Sequence, residues 1–375
     1  MKHVIVLGAG LIGRTIATDL CNRYDVTCAD IHLANLKILS NKHNIKIIQG
    51  DFTQTSALKK LIKPFDLVVC AVPGFMGYQT LKTIIEAKKN VVDISFFPEN
   101  ALELDSIAKK NNVTAIVDCG VAPGLCNLIA GYHNVKNPIN YYECLVGGLP
   151  QIREWPYEYK AVFSPIDVIE EYTRPARYIE NGQLVIREAL SDAENIYFEE
   201  VGTLQSFNTD GLRSLIETMP HVSNMKEKTL RFPGHIDIMR IFRETGFFNK
   251  EKIDVNGKKI APIELTSKLV FDKWKLNKGE KDFTIMRVTV KNKKETITYT
   301  LYDEMEVATQ TTSMARTTAY TCTAAATLVL ENYFNKKGVC PPEYVGEDEV
   351  SFKSIINYLK KRNIQLKKVV VPIKK

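Results

Sequence analysis

Three glycines near the start of the chain have the spacing of a phosphate cradle. Gly8, Gly10 and Gly13 form Gly-x-Gly-x-x-Gly directly after the apolar run Val4-Ile5-Val6-Leu7. The first glycine permits a tight turn, the second lets the backbone approach a pyrophosphate, and the third lets helix and strand pack closely. Leu11 and Ile12 complete the loop, and a helix expected over 14–22 would offer its unbonded amides and positive dipole end to the phosphates. A strand expected over 24–29 leads to Asp30, 20 residues after Gly10. A carboxylate there accepts from a ribose hydroxyl and repels a 2′-phosphate, which points to NAD rather than NADP as the cofactor. No Arg stands directly beside Asp30; His32 is the nearby group that weighs the other way.

Such a loop needs a frame. Strand-like runs over 3–7, 45–49, 65–71, 90–94 and 113–117 alternate with helical stretches over 56–62, 79–88 and 101–110. This rhythm predicts an α/β fold, a doubly wound parallel sheet of Rossmann type whose ligands sit beyond the carboxyl ends of the strands. The crevice would gather Gly8, Asp30, Asp51, Ala71, Val72, Pro73, Ser95 and Asp118, with Asp51 at the adenine end and Ala71 and Val72 along the cofactor's path. After Gly120 the texture changes. Runs over 141–146, 183–188, 195–199, 285–291 and 296–306, parted by polar loops, predict a second mixed α/β domain with a more antiparallel sheet. An Ala-rich stretch over 311–333 reads as a long helix returning to the first domain. The expected division is 1–120 for cofactor binding, 121–310 for substrate and oligomerisation, and 311–375 for the returning helix and a basic tail packed on the first domain.

Composition narrows the function classes. The 375 residues are 45% apolar and 25% charged, an ordinary globular profile. No stretch nears the roughly 18 consecutive apolar residues of a membrane span, and Met1-Lys2-His3 runs into a strand rather than a signal peptide, so a cytoplasmic location is expected. The eight cysteines, at 21, 28, 70, 119, 126, 144, 322 and 340, show neither CxxC nor zinc spacing, and are expected to be reduced, mostly buried thiols with no metal site. The net charge of +7 belongs to the tail: 353–375 holds eight Lys or Arg and no acid, leaving −1 on the rest. A short amphipathic helix and a docked strand at Val369-Val370-Val371 account for that tail without a nucleic-acid partner.

Turns in the second half carry polar groups at their tips. Arg174-Pro175-Ala176-Arg177, Asn208-Thr209-Asp210-Gly211 and Thr229-Leu230-Arg231-Phe232-Pro233-Gly234-His235 together supply guanidinium for a carboxylate and carboxylate for an ammonium group.

Several longer stretches go further: VVDISFFPEN at 91–100, VDCGVAPGLCN at 117–127, VGGLPQ at 146–151, EYTRPARYIENGQ at 171–183, FNTDGL at 207–212, TLRFPGH at 229–235 and TTSMARTTAYTC at 311–322. Through them the chain resembles the saccharopine dehydrogenase family over nearly its whole length, and within it most resembles the branch that oxidises the side-chain amine of lysine. The resemblance implies hydride transfer to NAD, release of ammonia and formation of 2-aminoadipate 6-semialdehyde, by a protein that is commonly a homo-oligomer. A lysine ammonium group has a pKa of about 10.4 and must lose a proton before hydride can leave the adjoining carbon, which calls for a general base. Asp118, at a strand end, is the first candidate and Asp93 the second, with His235 as a proton shuttle. Arg174 or Arg231 would take the substrate carboxylate and Asp210 its α-ammonium. The competing expectations are a saccharopine-forming or carboxylated-polyamine enzyme using NADPH, a non-catalytic NAD-binding regulator, and a nucleic-acid binder acting through the tail.

Overall fold

The computed structural model describes residues 1–40 and 44–373; Lys374 and Lys375, the last charges of the basic tail, lie outside the described residues. The chain divides into two compact units. The first comprises Met1–Ile139, Arg213–Thr218 and Ala315–Gln365, and the second Asn140–Leu212, Met219–Met314 and Leu366–Lys375.

In the first unit β1 (His3–Leu7), β2 (Asp25–Asp30), β3 (Lys46–Gln49), β4 (Leu67–Cys70), β5 (Asn90–Asp93) and β6 (Thr114–Ile116) lie in the order β3-β2-β1-β4-β5-β6. All are parallel. Strands covered on both faces read as unbroken apolar runs, and Val4, Ile5, Val6, Leu67, Val68 and Val69 are wholly buried. The order reverses at β1, which pairs with β2 on one side and β4 on the other, so the switch-point crevice opens at the carboxyl ends of β1 and β4. Gly338–Cys340 adds a further parallel strand outside β6. Three residues are too few to show a period; Asp105, accepting from the Val339 amide at 3.0 Å, fixes the strand's place. The helix Leu125–Lys136 meets the helix Pro342–Glu347 at two glycines: a Cβ on Gly131 would overlap the Glu343 carbonyl, and one on Gly346 the Leu128 carbonyl.

The second unit is built on a mixed sheet. Tyr141–Pro150 pairs parallel with Asn224–Arg231 and antiparallel with Asp282–Lys291. Glu295–Glu304 follows antiparallel on one side, and Gly202–Asn208 and Glu194–Phe198 extend the other. Tyr172, Phe198, Phe207, Trp274 and Ile285 form part of the core against this sheet. Two expectations change here. Leu366–Pro372 pairs antiparallel with the strand Glu295–Glu304, so the end of the tail belongs to the second unit's sheet rather than packing on the first domain. Its β-branched valines favour extended chain, and the strand beside it offers an unpaired edge. Arg231, expected at the tip of a turn, ends the strand Asn224–Arg231 and faces the interior.

Because the two crossing helices meet backbone to backbone, Gly131→Ala should lower stability by roughly 1–3 kcal/mol, the usual range for an overpacked core. A denaturant midpoint unchanged from wild type would show that the crossing can spread to admit a methyl group.

Candidate active site

The glycine loop is built by contact. Gly8 has φ +101°, and a Cβ there would overlap the Ala71 carbonyl. A Cβ on Gly13 would overlap the Gly8 carbonyl. Gly10 differs: a Cβ there would meet nothing within 4 Å. No packing within the protein demands a glycine at this position, which suits a place kept clear for a ligand. Gly10 also begins the helix Leu11–Leu20 without a side-chain cap, and the first turn holds no acidic residue. Its amides are therefore those of an anion site. These residues fit a dinucleotide: Gly8, Gly10, Leu11, Ile12 and Gly13 would hold the pyrophosphate and Asp30 the ribose.

Asp30 is half-buried at the end of β2. One carboxylate oxygen accepts from the Ala9 amide at 2.6 Å and the other from the His32 amide at 2.7 Å, which ties the ribose position to the glycine loop. Arg14 approaches from the following helix; its guanidinium donates to the Ala9 carbonyl at 3.2 Å and senses the Asp30 charge. Asp51, exposed after β3, accepts from the Thr53 amide at 2.9 Å, a bond that holds its carboxyl below the usual range. Ala71 continues β4, donating to the Leu7 carbonyl at 2.8 Å, and Val72 and Pro73 lead into the helix Gly74–Glu86.

Beyond β5 and β6 lie two carboxyls in different surroundings. Asp93 is wholly buried; one oxygen accepts from the Ser95 amide at 2.6 Å and the other has no hydrogen-bond partner. Burial pushes its carboxyl up to about 7, against the Ser95 bonds and helped by the nearby Asp118 charge. Ser95 Oγ stands 3.6 Å from Cys70 Sγ. Cys70, Cys119 and Cys322 adjoin this acid, and burial raises all three thiols. Asp118 is held otherwise. Arg213 Nε stands 3.2 and 3.1 Å from its two oxygens and Nη2 3.1 Å from Oδ1, while Nη1 donates to the Phe97 carbonyl at 2.7 Å.

The remaining candidates belong to the second unit. His235 is a core residue: Nδ1 donates to the Tyr157 carbonyl at 2.8 Å and Nε2 lies 2.9 Å from the Tyr172 hydroxyl. Burial, reinforced by the Arg231 charge, drives its pKa down to about 3, so a neutral imidazole replaces the expected proton shuttle. Arg231 donates to Glu171 at 2.6 Å and to the Tyr172 hydroxyl at 3.2 Å, with its guanidinium 4.4 Å from the Tyr159 ring centre. Asp210 takes a forked bond from Arg177 at 2.9 and 3.0 Å. Arg174 lies 3.6 Å from Glu170. Among the described residues no group of three or more His, Cys, Asp or Glu is placed to hold a metal ion, and no helix is long and apolar enough to cross a membrane. No disulfide links the eight cysteines.

Residues 4–116 match the saccharopine dehydrogenase NADP binding domain, and residues 120–364 match the saccharopine dehydrogenase C-terminal domain. The chain belongs to the saccharopine dehydrogenase family. It is 25% identical over 266 residues to the mouse mitochondrial alpha-aminoadipic semialdehyde synthase, covering 67% of this chain and 29% of that protein. It is also 25% identical over 274 residues to the Saccharomyces cerevisiae saccharopine dehydrogenase [NADP(+), L-glutamate-forming], covering 69% and 61%. The chain thus spans less than two thirds of the length of these relatives. Its fold follows that of the apo histidine-tagged saccharopine dehydrogenase (L-Glu forming) from Saccharomyces cerevisiae, with a TM-score of 0.79 at 20% identity over 99% of this chain and 100% of that one.

Within this saccharopine dehydrogenase fold, two site residues escaped the sequence reading. Arg14 is remote from Asp30 in sequence and comes within range of its charge only through the helix. Arg213 stands one place beyond the FNTDGL stretch, and its signal was a lone guanidinium among Leu212, Leu215 and Ile216.

Burial keeps the Asp93 proton up to about 7, whereas the ordinary value for an aspartate carboxyl is 3.8. Wild type should therefore lose stability as pH rises between those values. Asp93→Asn escapes that loss, so its melting temperature should exceed wild type by a margin that widens from pH 5 to pH 8. A margin independent of pH would show that Asp93 is not stored as a neutral acid.

Proposed function

We propose that this protein is an NAD-dependent L-lysine 6-dehydrogenase, an oxidoreductase acting on a CH–NH2 group. The observation that carries the reading is Asp30, whose carboxylate is bonded to the Ala9 amide where a ribose hydroxyl would lie. A 2′-phosphate beside that carboxylate would be repelled. The stretches through which the sequence resembles the lysine-oxidising branch support the substrate.

When bound, the nicotinamide supplies the hydride acceptor. The chain's own residues must bring the amine to it deprotonated and aligned. Asp118, paired with Arg213, suits the reception of a cationic nitrogen, and Asp93 is the neighbouring carboxyl whose proton burial holds up to about 7. Overall, the lysine side-chain ammonium, NAD+ and water give the 6-semialdehyde, an ammonium ion, NADH and one proton. Two electrons leave the carbon as hydride, and water replaces the nitrogen.

A second reading is the NADP-dependent oxidation of saccharopine to glutamate and the same semialdehyde. It is favoured by the names of the relatives and by Arg14, a guanidinium near Asp30 that could answer a 2′-phosphate. Purified protein incubated with each cofactor and each amine separates the two. Ammonia released in step with NADH from lysine and NAD supports the dehydrogenase, whereas glutamate released from saccharopine with NADP sinks it.

The same assay tests the ribose contact. A hydrogen bond to a charged group is worth about 1.5–3 kcal/mol, so Asp30→Ala should lower kcat/KM for NAD by roughly 10- to 100-fold and change that for NADP little. An equal loss with both cofactors would assign Asp30 to the loop alone.

A further inference from the structure

Asp118 and Arg213 are linked by more than charge. Their side chains are each 4% exposed. Both take a left-handed backbone, with φ +50° at Asp118 and +52° at Arg213. Side chains as long as that of Arg rarely adopt this conformation. It persists where the surroundings over-determine it, and such residues cluster at functional sites. A buried ion pair is by itself weak ground for stability, so two strained backbones meeting in one pair call for another reason.

The geometry supplies it. Every guanidinium nitrogen of Arg213 is engaged, by Asp118 or by the Phe97 carbonyl, and its carbon lies 5.0 Å from the Phe96 ring centre and 5.6 Å from that of Phe97. Asp118 Oδ1 faces two nitrogens of Arg213 and Oδ2 only one. The acidic groups that sense the Asp118 charge are Asp93 at the end of β5, Cys119 beside it in the chain, and Glu343 on the helix Pro342–Glu347. Arg213 is the counter-charge bonded to Asp118 among them.

We propose that Arg213 is a positioning residue for the reaction: as the counter-charge of Asp118 it fixes that carboxylate with Oδ2 left to accept from a substrate ammonium group. The proposal rests on the amine-oxidation reading above. It assigns Asp118 the substrate's charge and Asp93 the exchangeable proton.

Wild type, Arg213→Gln and Arg213→Lys are compared in pH profiles of kcat/KM, using whichever amine wild type oxidises, lysine or saccharopine. NADH binding is followed in parallel by fluorescence. In Arg213→Gln the counter-charge is gone. The acid limb should rise by about one pH unit or more, so that kcat/KM falls about tenfold on that limb and recovers towards the alkaline plateau. NADH binding should stay within about twofold, since the glycine loop and Asp30 are untouched. In Arg213→Lys the charge remains and the fork is lost, so the limb should hold while kcat drops on the order of tenfold at every pH. A Gln variant that keeps the wild-type limb, whatever its absolute rate, overturns the proposal by reducing Arg213 to a structural part. A Lys variant with wild-type kcat overturns it as well, and decides the matter if the Gln variant does not fold. Wild type that oxidises saccharopine and not lysine overturns the substrate reading while the Arg213 comparison proceeds in saccharopine. Oxidation of neither amine overturns both.

Discussion

The carboxyl end of β1 has room for a carbonyl oxygen or a side chain, but not both. The turn at Gly8 must lie against Ala71, at the end of the neighbouring β4, while the first turn of the next helix lies against Gly8 itself. Two hydrogens in place of two methyl groups make this possible. Once the backbone closes in this way, the helix starts where the strand order reverses, its amides open onto the crevice, and Asp30 on β2 comes within bonding distance of Ala9. The geometry offered to a dinucleotide is thus settled by van der Waals exclusion before any charge is considered.

Charge then sorts the polar groups into those that are spent and those that are held ready. Arg231, Glu171, Tyr172 and His235 satisfy one another inside the second unit, and Asp210 is matched by Arg177. Groups so matched add rigidity and little reactivity. In the first unit the arrangement is unequal. Asp118 has a guanidinium, while Asp93 has an amide on one side and nothing on the other. Two like carboxyls at adjacent strand ends are given unlike surroundings, a recurrent way to obtain distinct roles from one residue type.

The first sheet was largely legible because buried parallel strands write themselves as β-branched runs and glycine spacing has a mechanical meaning. Asp30, Asp93 and Asp118 could be singled out since each ends such a run. What escaped had no period to read. Gly338–Cys340 is held by Asp105 and its core contact rather than by its own pattern. Arg213 matters through a partner 95 positions away. The turn-like text around Arg231 and His235 misled because Pro233 and Gly234 follow a strand whose inward face includes a guanidinium; an Arg set over Tyr159 and bonded to Glu171 is as much an interior residue as a leucine. Single-residue chemistry is visible in a sequence, while the pairing that sets its state is a property of the fold.

The strand Gly338–Cys340 carries one more consequence, for how the chain reaches this state. The first unit draws on three separated stretches, the last of which begins at Ala315. During synthesis β1 to β6 emerge early, yet the sheet's outer strand is made only after nearly all of the second unit's sequence has been produced. Until then β6 presents an unpaired edge, and Val113, Ala115 and Val117 lack Val339 as a core neighbour. Long-range parallel pairing of this kind is slow and leaves a sticky intermediate. The nascent protein should therefore depend on chaperone cover more than its size alone would suggest, and neither unit can be cut out as one contiguous fragment.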